Sequence, residues 1–100
     1  MAMNVIHVER VEEAKEPLEF CVIVFEDQSE TKYDVTMAQS SYEKLTHGKV
    51  TPERCIQAAF QFLLDREPKE SILPRFDVTV ISSYFPTFEG ELGHYLHHEA

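Results

Sequence analysis

The sequence predicts an α+β domain in which one long helix packs across a small antiparallel sheet of three to four strands. One observation is the run FCVIVF from Phe20 to Phe25, whose six consecutive apolar residues are typical of a strand covered on both faces. The other is the stretch from Thr51 to Arg66, which has a helix start signal and is apolar around most of its circumference. The expected order is β-β-β-α-α-β, and residues 1–100 have the size of a single domain.

The first half of the chain contains three segments with strand patterns. In the first, from Met3 to Val11, Val and Ile are mixed with charged residues and neither face is clearly apolar. The apolar run is followed by a polar turn, Asp27 to Glu30, and then by Thr31 to Met37, in which apolar and polar residues alternate. Two strands joined by a short polar turn predict an antiparallel hairpin.

A short helix is predicted from Ala38 to Thr46. Thr36 and Gln39 have the spacing of a capping box, in which each side chain bonds a free backbone N–H of the first turn. Gly48 is suited to end this helix, because glycine readily adopts the left-handed conformation found there.

The long helix is predicted to start at Thr51 and to end near Arg66. Thr51 can cap its first turn, and Pro52 loses no hydrogen bond at the first helical position. Its polar side chains form one narrow stripe: Arg54, Gln57, Gln61 and Asp65. A surface helix needs an apolar arc of only about 100°, so this wider arc predicts two packing partners. One is the sheet, and the other is the short helix, the C-terminal segment or a second subunit.

The segment after the long helix is charged and interrupted by proline. In REPKE, from Arg66 to Glu70, local ion pairs are expected to set the turn, and a partner-binding corner is the alternative. A helical turn is expected from Pro68 until Pro74 ends it. Alternation from Phe76 to Ile81 then predicts the last strand, and the residues from about 89 form a tail that can fray.

The charge balance argues against two classes of partner. The chain carries 9 basic and 18 acidic side chains, a net charge of -9. Such a charge repels nucleic-acid phosphates and anionic lipid headgroups, so no nucleic acid and no membrane is expected as a partner. A basic protein partner is compatible with it, although solubility alone would also account for an acidic surface.

Cysteine content and hydropathy predict a cytoplasmic protein. The two cysteines, Cys21 and Cys55, are expected to be free thiols, as is usual in a reducing compartment. No N-terminal segment resembles a signal peptide, and no run approaches the ~18 apolar residues of a membrane span.

The string FLLDREPKESIL, followed by a Phe-Asp strand and then YFP, resembles a group of small uncharacterised bacterial proteins. The resemblance covers Phe62 to Pro86 well and extends more loosely back to Thr51. It implies a bacterial, cytoplasmic, stand-alone domain, and it implies no activity, substrate or catalytic residue.

The candidate catalytic pair is Cys55 and His47. A thiol near a helix start has a lowered pKa, and a histidine after a turn could act as its base in acyl transfer. No third orienting residue is visible, however, and Cys55 lies on the apolar arc, so a buried and inert cysteine is favoured.

The candidate metal ligands are His94, His97 and His98. On a helix these three side chains share one face and could approach a zinc ion together. Gly93 weakens such a helix and chain ends fray, so a solvated tail is favoured and no cofactor is predicted.

The candidate interaction surface is Tyr84, Phe85 and Phe88 together with Phe62. Aromatic side chains outside regular structure either pack onto the core edge or lie in interfaces, where they are enriched. The function predicted is a non-catalytic module that binds a protein partner or forms a homo-oligomer. The alternative is a small enzyme or a ligand- or metal-binding protein that uses the cysteine and histidines named above.

Overall fold

The computed structural model describes residues 4–12 and 16–96 and confirms the α+β class. Four strands form one sheet, and four α-helices and a 3-10 turn accompany it. The elements are β1 (Asn4–Arg10), β2 (Leu18–Glu26), β3 (Ser29–Met37), α1 (Gln39–Thr46), α2 (Pro52–Leu64), the 3-10 turn (Lys69–Ser71), β4 (Arg75–Asp77), α3 (Thr79–Tyr84) and α4 (Phe88–Leu96).

The sheet has the strand order β1-β2-β3-β4 and is mixed rather than purely antiparallel. The first three strands pair antiparallel, and the predicted hairpin is confirmed with Phe20 opposite Val35. The last strand runs parallel to β3, with Phe76 opposite Val35. A parallel neighbour requires a crossover connection, and α1, α2 and the 3-10 turn supply it.

The last strand is shorter than the alternation from Phe76 to Ile81 predicts. It ends at Asp77, and the residues from Thr79 onward form α3. Asp77 accepts hydrogen bonds from the backbone N–H of Thr79 at 3.1 Å and from its hydroxyl at 2.7 Å. These bonds satisfy donors at the start of α3 and so stabilise the helix at the point where the chain leaves the sheet.

One face of the sheet is buried and the other is open within the described residues. On β2, Phe20, Val22 and Val24 point into the core. On the opposite face Cys21 and Ile23 are only half-buried, and Phe25 is 38% exposed. The expectation that the apolar run is covered on both faces is therefore wrong for this part of the chain.

The short helix α1 is confirmed, but the capping box is not. Its N-cap residue is Ala38, which provides no side-chain hydrogen bond. The Thr36 hydroxyl instead donates to Asp77 at 2.6 Å, across the β3–β4 pair. At the C-terminal end His47 is left-handed with φ 56° and Gly48 follows with φ 73°, so the helix ends where Gly48 predicts.

The long helix α2 has the start and the two-sided packing that the sequence predicts. The Thr51 hydroxyl accepts the backbone N–H of Arg54 at 3.1 Å. The apolar arc is buried on two sides. One side packs on the sheet at β1, and the other packs against helices α4 and α1. With 13 residues this is the longest helix in the described ranges, and none there could cross a membrane.

Replacing Thr51 by alanine is expected to lower the free energy of unfolding by about 1 kcal/mol, because the N–H of Arg54 loses its acceptor. Serine at this position keeps the oxygen and is expected to keep most of the stability. Urea denaturation of both variants measures the difference. Equal losses for Thr51→Ala and Thr51→Ser would show that the cap is not the cause.

Candidate functional site

An aromatic cluster joins α2 to the segment that follows β4. The ring of Phe62 lies 5.8 Å from that of Phe85, 5.0 Å from that of Phe88 and 5.9 Å from that of Tyr95, all at steep angles. Edge-to-face contacts of this kind stabilise beyond the area they bury. The side chain of Phe62 is 0% exposed and that of Phe88 is 1% exposed. Of the candidate interaction surface, only Tyr84 and Phe85 therefore remain accessible.

Polar side chains close this cluster at the end of α2. The Tyr95 hydroxyl donates to Asp65 Oδ2 at 2.7 Å and accepts from Arg66 Nη1 at 3.1 Å. Arg66 also pairs with Glu91 of α4 and lies over the Phe62 ring, 3.7 Å from its centroid. Burial raises the pKa of Tyr95, and the bond to Asp65 acts in the same direction. We call Asp65, Arg66, Glu91 and Tyr95 the α2–α4 clasp.

Lys69 anchors the 3-10 turn to β3. It is only 4% exposed, and its Nζ donates to Thr31 Oγ1 at 2.8 Å and to Glu70 at 3.2 Å. The Tyr33 hydroxyl donates to the Lys69 carbonyl oxygen at 2.6 Å. Of the local ion pairs expected within REPKE, the described residues show Lys69 with Glu70, whereas Arg66 pairs outside the segment, with Glu91.

An apolar groove lies between the end of α2, the 3-10 turn and α3. It has a volume of about 270 Å³. Its rim carries two large hydrophobic side chains that remain exposed, Leu73 at 45% and Tyr84 at 67%. Among the described residues that line it, Glu67 is the single charged one. Other residues along its walls are Leu63, Ile72, Val80 and Phe85.

The structure does not bring Cys55 and His47 together as a catalytic pair within the described residues. Cys55 is 0% exposed, and its thiol lies 3.9 Å from the sulfur of Met37. Burial raises the pKa of this thiol to about 12, whereas a nucleophilic cysteine needs a lowered one. His47 lies on the surface at the end of α1. The environment of Cys55 is that of an inert core residue.

Of the three candidate metal ligands, the structure describes His94 alone. It is exposed on α4, while His97 and His98 lie outside the described residues. Residues 4–12 and 16–96 contain no group of His, Cys, Asp and Glu side chains placed to hold a metal ion.

No protein-family model matches the chain, and neither the curated proteins nor the solved structures provide a match.

Sequence patterns alone do not assign Leu73 and Glu67 to this groove. Leu73 lies after the 3-10 turn and directly before Pro74, at the end of the helical turn that the sequence predicts there. Its position directly before a proline is the available signal, because the residue before proline is restricted to extended conformations. Glu67 stands among other charges in REPKE, and nothing in the sequence separates it from them.

Proposed function

We propose that this domain is a non-catalytic protein-interaction module whose groove binds an apolar side chain of a partner. The exposed pair Leu73 and Tyr84 at the rim of an apolar groove is the observation that carries the proposal. Exposed apolar surface of this kind favours an interaction site, and tyrosine is one of the residues most often found at binding hot spots.

The size and charge of the groove define the partner's chemistry. Pockets for small ligands usually measure about 300–1,000 Å³, and this groove measures about 270 Å³. Such a volume fits one large side chain of a peptide or helix better than it fits a cofactor. Glu67 at the wall and the net charge of -9 favour a basic residue beside that anchor.

A phage-displayed random peptide library tests this proposal with a defined probe. Peptides selected on the purified domain are expected to combine Leu, Phe or Met with a nearby Lys or Arg. Tyr84→Ala is expected to weaken their binding about tenfold or more, as loss of a hot-spot side chain does. Glu67→Gln is expected to weaken basic peptides selectively.

Val5→Ala is the matched control, because Val5 is 58% exposed on the sheet, away from the groove residues. Isothermal titration calorimetry of wild type and variants gives the affinities. The proposal is overturned if no peptide is selected, or if selected peptides bind Tyr84→Ala and wild type equally well.

A further inference from the structure

Strand β1 lies at one edge of the sheet and has an open backbone side within the described residues. It is the first strand in the order β1-β2-β3-β4, so its only neighbour among the described residues is β2. Its register with β2 is continuous from Asn4 to Arg10. An edge of this length is a template for pairing with another strand unless something blocks it.

The hydrogen bonds identify which backbone groups face outward. The N–H of Val11 donates to the carbonyl of Glu19 at 2.8 Å, so the pair Val11–Glu19 is a bonded pair of the antiparallel ladder. Bonded and non-bonded pairs alternate along such a ladder. His7 and Glu9 therefore bond to β2, whereas the backbone groups of Ile6, Val8 and Arg10 point away from the sheet.

The outward-pointing residues also have their side chains on the core face. Ile6 lies opposite Val24 and Val8 lies opposite Val22, and both of these β2 partners are 0% exposed. Ile6 and Val8 themselves are only partly buried. They form one wall of a cleft of about 280 Å³ between β1 and the start of α2. A strand added at this edge would cover their remaining apolar surface.

Charge at this edge is balanced in a chain that is strongly acidic overall. Strand β1 and the first turn of α2 carry two acids, Glu9 and Glu53, and two arginines, Arg10 and Arg54. Glu53 pairs with Arg10 at 3.1 Å, and Glu9 lies 3.0 Å from His7. A net charge of -9 makes two copies repel each other in general. The balanced charge at this edge does not add to that repulsion.

We infer that this edge binds β1 of a second copy of the chain, in an antiparallel register centred on His7. Outward-facing residues must meet each other for their backbone groups to bond. The His7-centred register meets this condition and pairs Ile6 with Val8 of the second copy. It uses the whole strand, whereas registers centred on Ile6 or Val8 leave part of it unpaired.

The side chains are compatible with this register. Glu9 lies opposite Val5 of the second copy and diagonal to its His7, so no two carboxylates meet directly. Ile6 and Val8 of both copies form one apolar strip beside the two α2 helices. The interface is separate from the groove at Tyr84, so it goes beyond the function proposed above.

Sedimentation equilibrium over a concentration series tests the inference. The wild-type chain is expected to reach the mass of two chains. His7→Glu places two carboxylates opposite each other at the centre and is expected to raise the dimer dissociation constant about tenfold or more. Ser40→Glu adds the same charge at an exposed position of α1 and is expected to leave the dissociation constant unchanged.

A second variant removes a backbone donor and adds no charge. Val8→Pro removes an N–H that faces outward and keeps every bond between β1 and β2, a position where edge strands accept proline. It is expected to give a folded monomer.

Amide hydrogen exchange locates the contact. Protection of the Ile6 and Val8 amides is expected to increase with protein concentration, while the His7 and Glu9 amides are protected at all concentrations. A wild-type monomer at the highest soluble concentration overturns the inference. So does a dimer in which His7→Glu has no effect, or in which Ile6 and Val8 exchange at the same rate at every concentration. An extended foreign peptide that binds this edge of a monomeric chain also overturns the choice of a second copy.

Discussion

Replacing Phe62 by alanine is expected to lower the free energy of unfolding by about 3–5 kcal/mol. The Phe62 side chain is fully buried and contacts three other aromatic rings. Its removal leaves a cavity between α2 and α4 and takes away the ring over which Arg66 lies. Because small domains are stable by only about 5–15 kcal/mol, this single change is expected to remove a large share of the total.

Urea denaturation, followed by circular dichroism, measures this loss. Phe25→Ala is the matched control, since Phe25 is 38% exposed on the open face of the sheet. It is expected to cost less than about 1 kcal/mol. A Phe62→Ala variant no less stable than Phe25→Ala would contradict the role of the aromatic cluster in joining α4 to α2.

The free energy of unfolding is expected to fall as the pH rises from 9.0 towards 12, because of the buried Cys55 thiol. Burial raises its pKa in the folded chain from 9.0 to about 12. Between these values the unfolded chain releases a proton that the folded chain keeps, so stability decreases with pH. The loss is expected to be about 3 kcal/mol near pH ~11, from about 1.4 kcal/mol per pKa unit. It is absent below the ordinary thiol pKa.

Two cysteine variants separate this effect from other alkaline titrations. Cys55→Ala is expected to be less stable at neutral pH and to lose this part of the pH dependence, while Cys21→Ala is expected to keep it. Burial also raises the pKa of Tyr33 from 10.0 to about 12, which adds a loss of the same sign above pH 10.0 in all three proteins. Identical pH slopes for wild type and Cys55→Ala would contradict the effect assigned to the thiol.

The elements with strong local signals are the ones that the sequence predicts well. The start of α2 follows from Thr51 and Pro52. The Thr51 side chain accepts a backbone N–H of the first turn, and Pro52 occupies the first helical position. The β2–β3 hairpin follows from an apolar run and an alternating run around a polar turn. In both cases the deciding interactions lie within a few residues along the chain.

The end of the sheet depends on contacts between distant residues, and the sequence pattern misleads there. Val78 and Val80 alternate with polar residues as in a strand. In the structure, however, Val78 is the residue before α3 and Val80 lies in its first turn. The difference comes from Asp77, which accepts hydrogen bonds from Thr79, two residues further on, and from Thr36 on β3. No window of local sequence contains both of these partners.

The candidate site shows the same limit. Aromatic composition marks the segment around Tyr84 as a candidate, but it does not distinguish rings that face the core from those that face outward. Phe88 is buried because its ring packs against that of Phe62, which lies on a different helix. Leu73 is exposed because the 3-10 turn, which Lys69 anchors, places it at the groove rim.

The aromatic cluster around Phe62 has a consequence for the order in which the molecule folds during translation. Helix α2 is synthesised well before α4, yet its Phe62 ring obtains two of its three aromatic neighbours, Phe88 and Tyr95, only from α4. Until α4 has left the ribosome, it cannot pack on α2, and the apolar face of α2 around Phe62 stays exposed on that side. Nascent chains that stall before Phe88 are therefore the species in which chaperones would find this apolar surface.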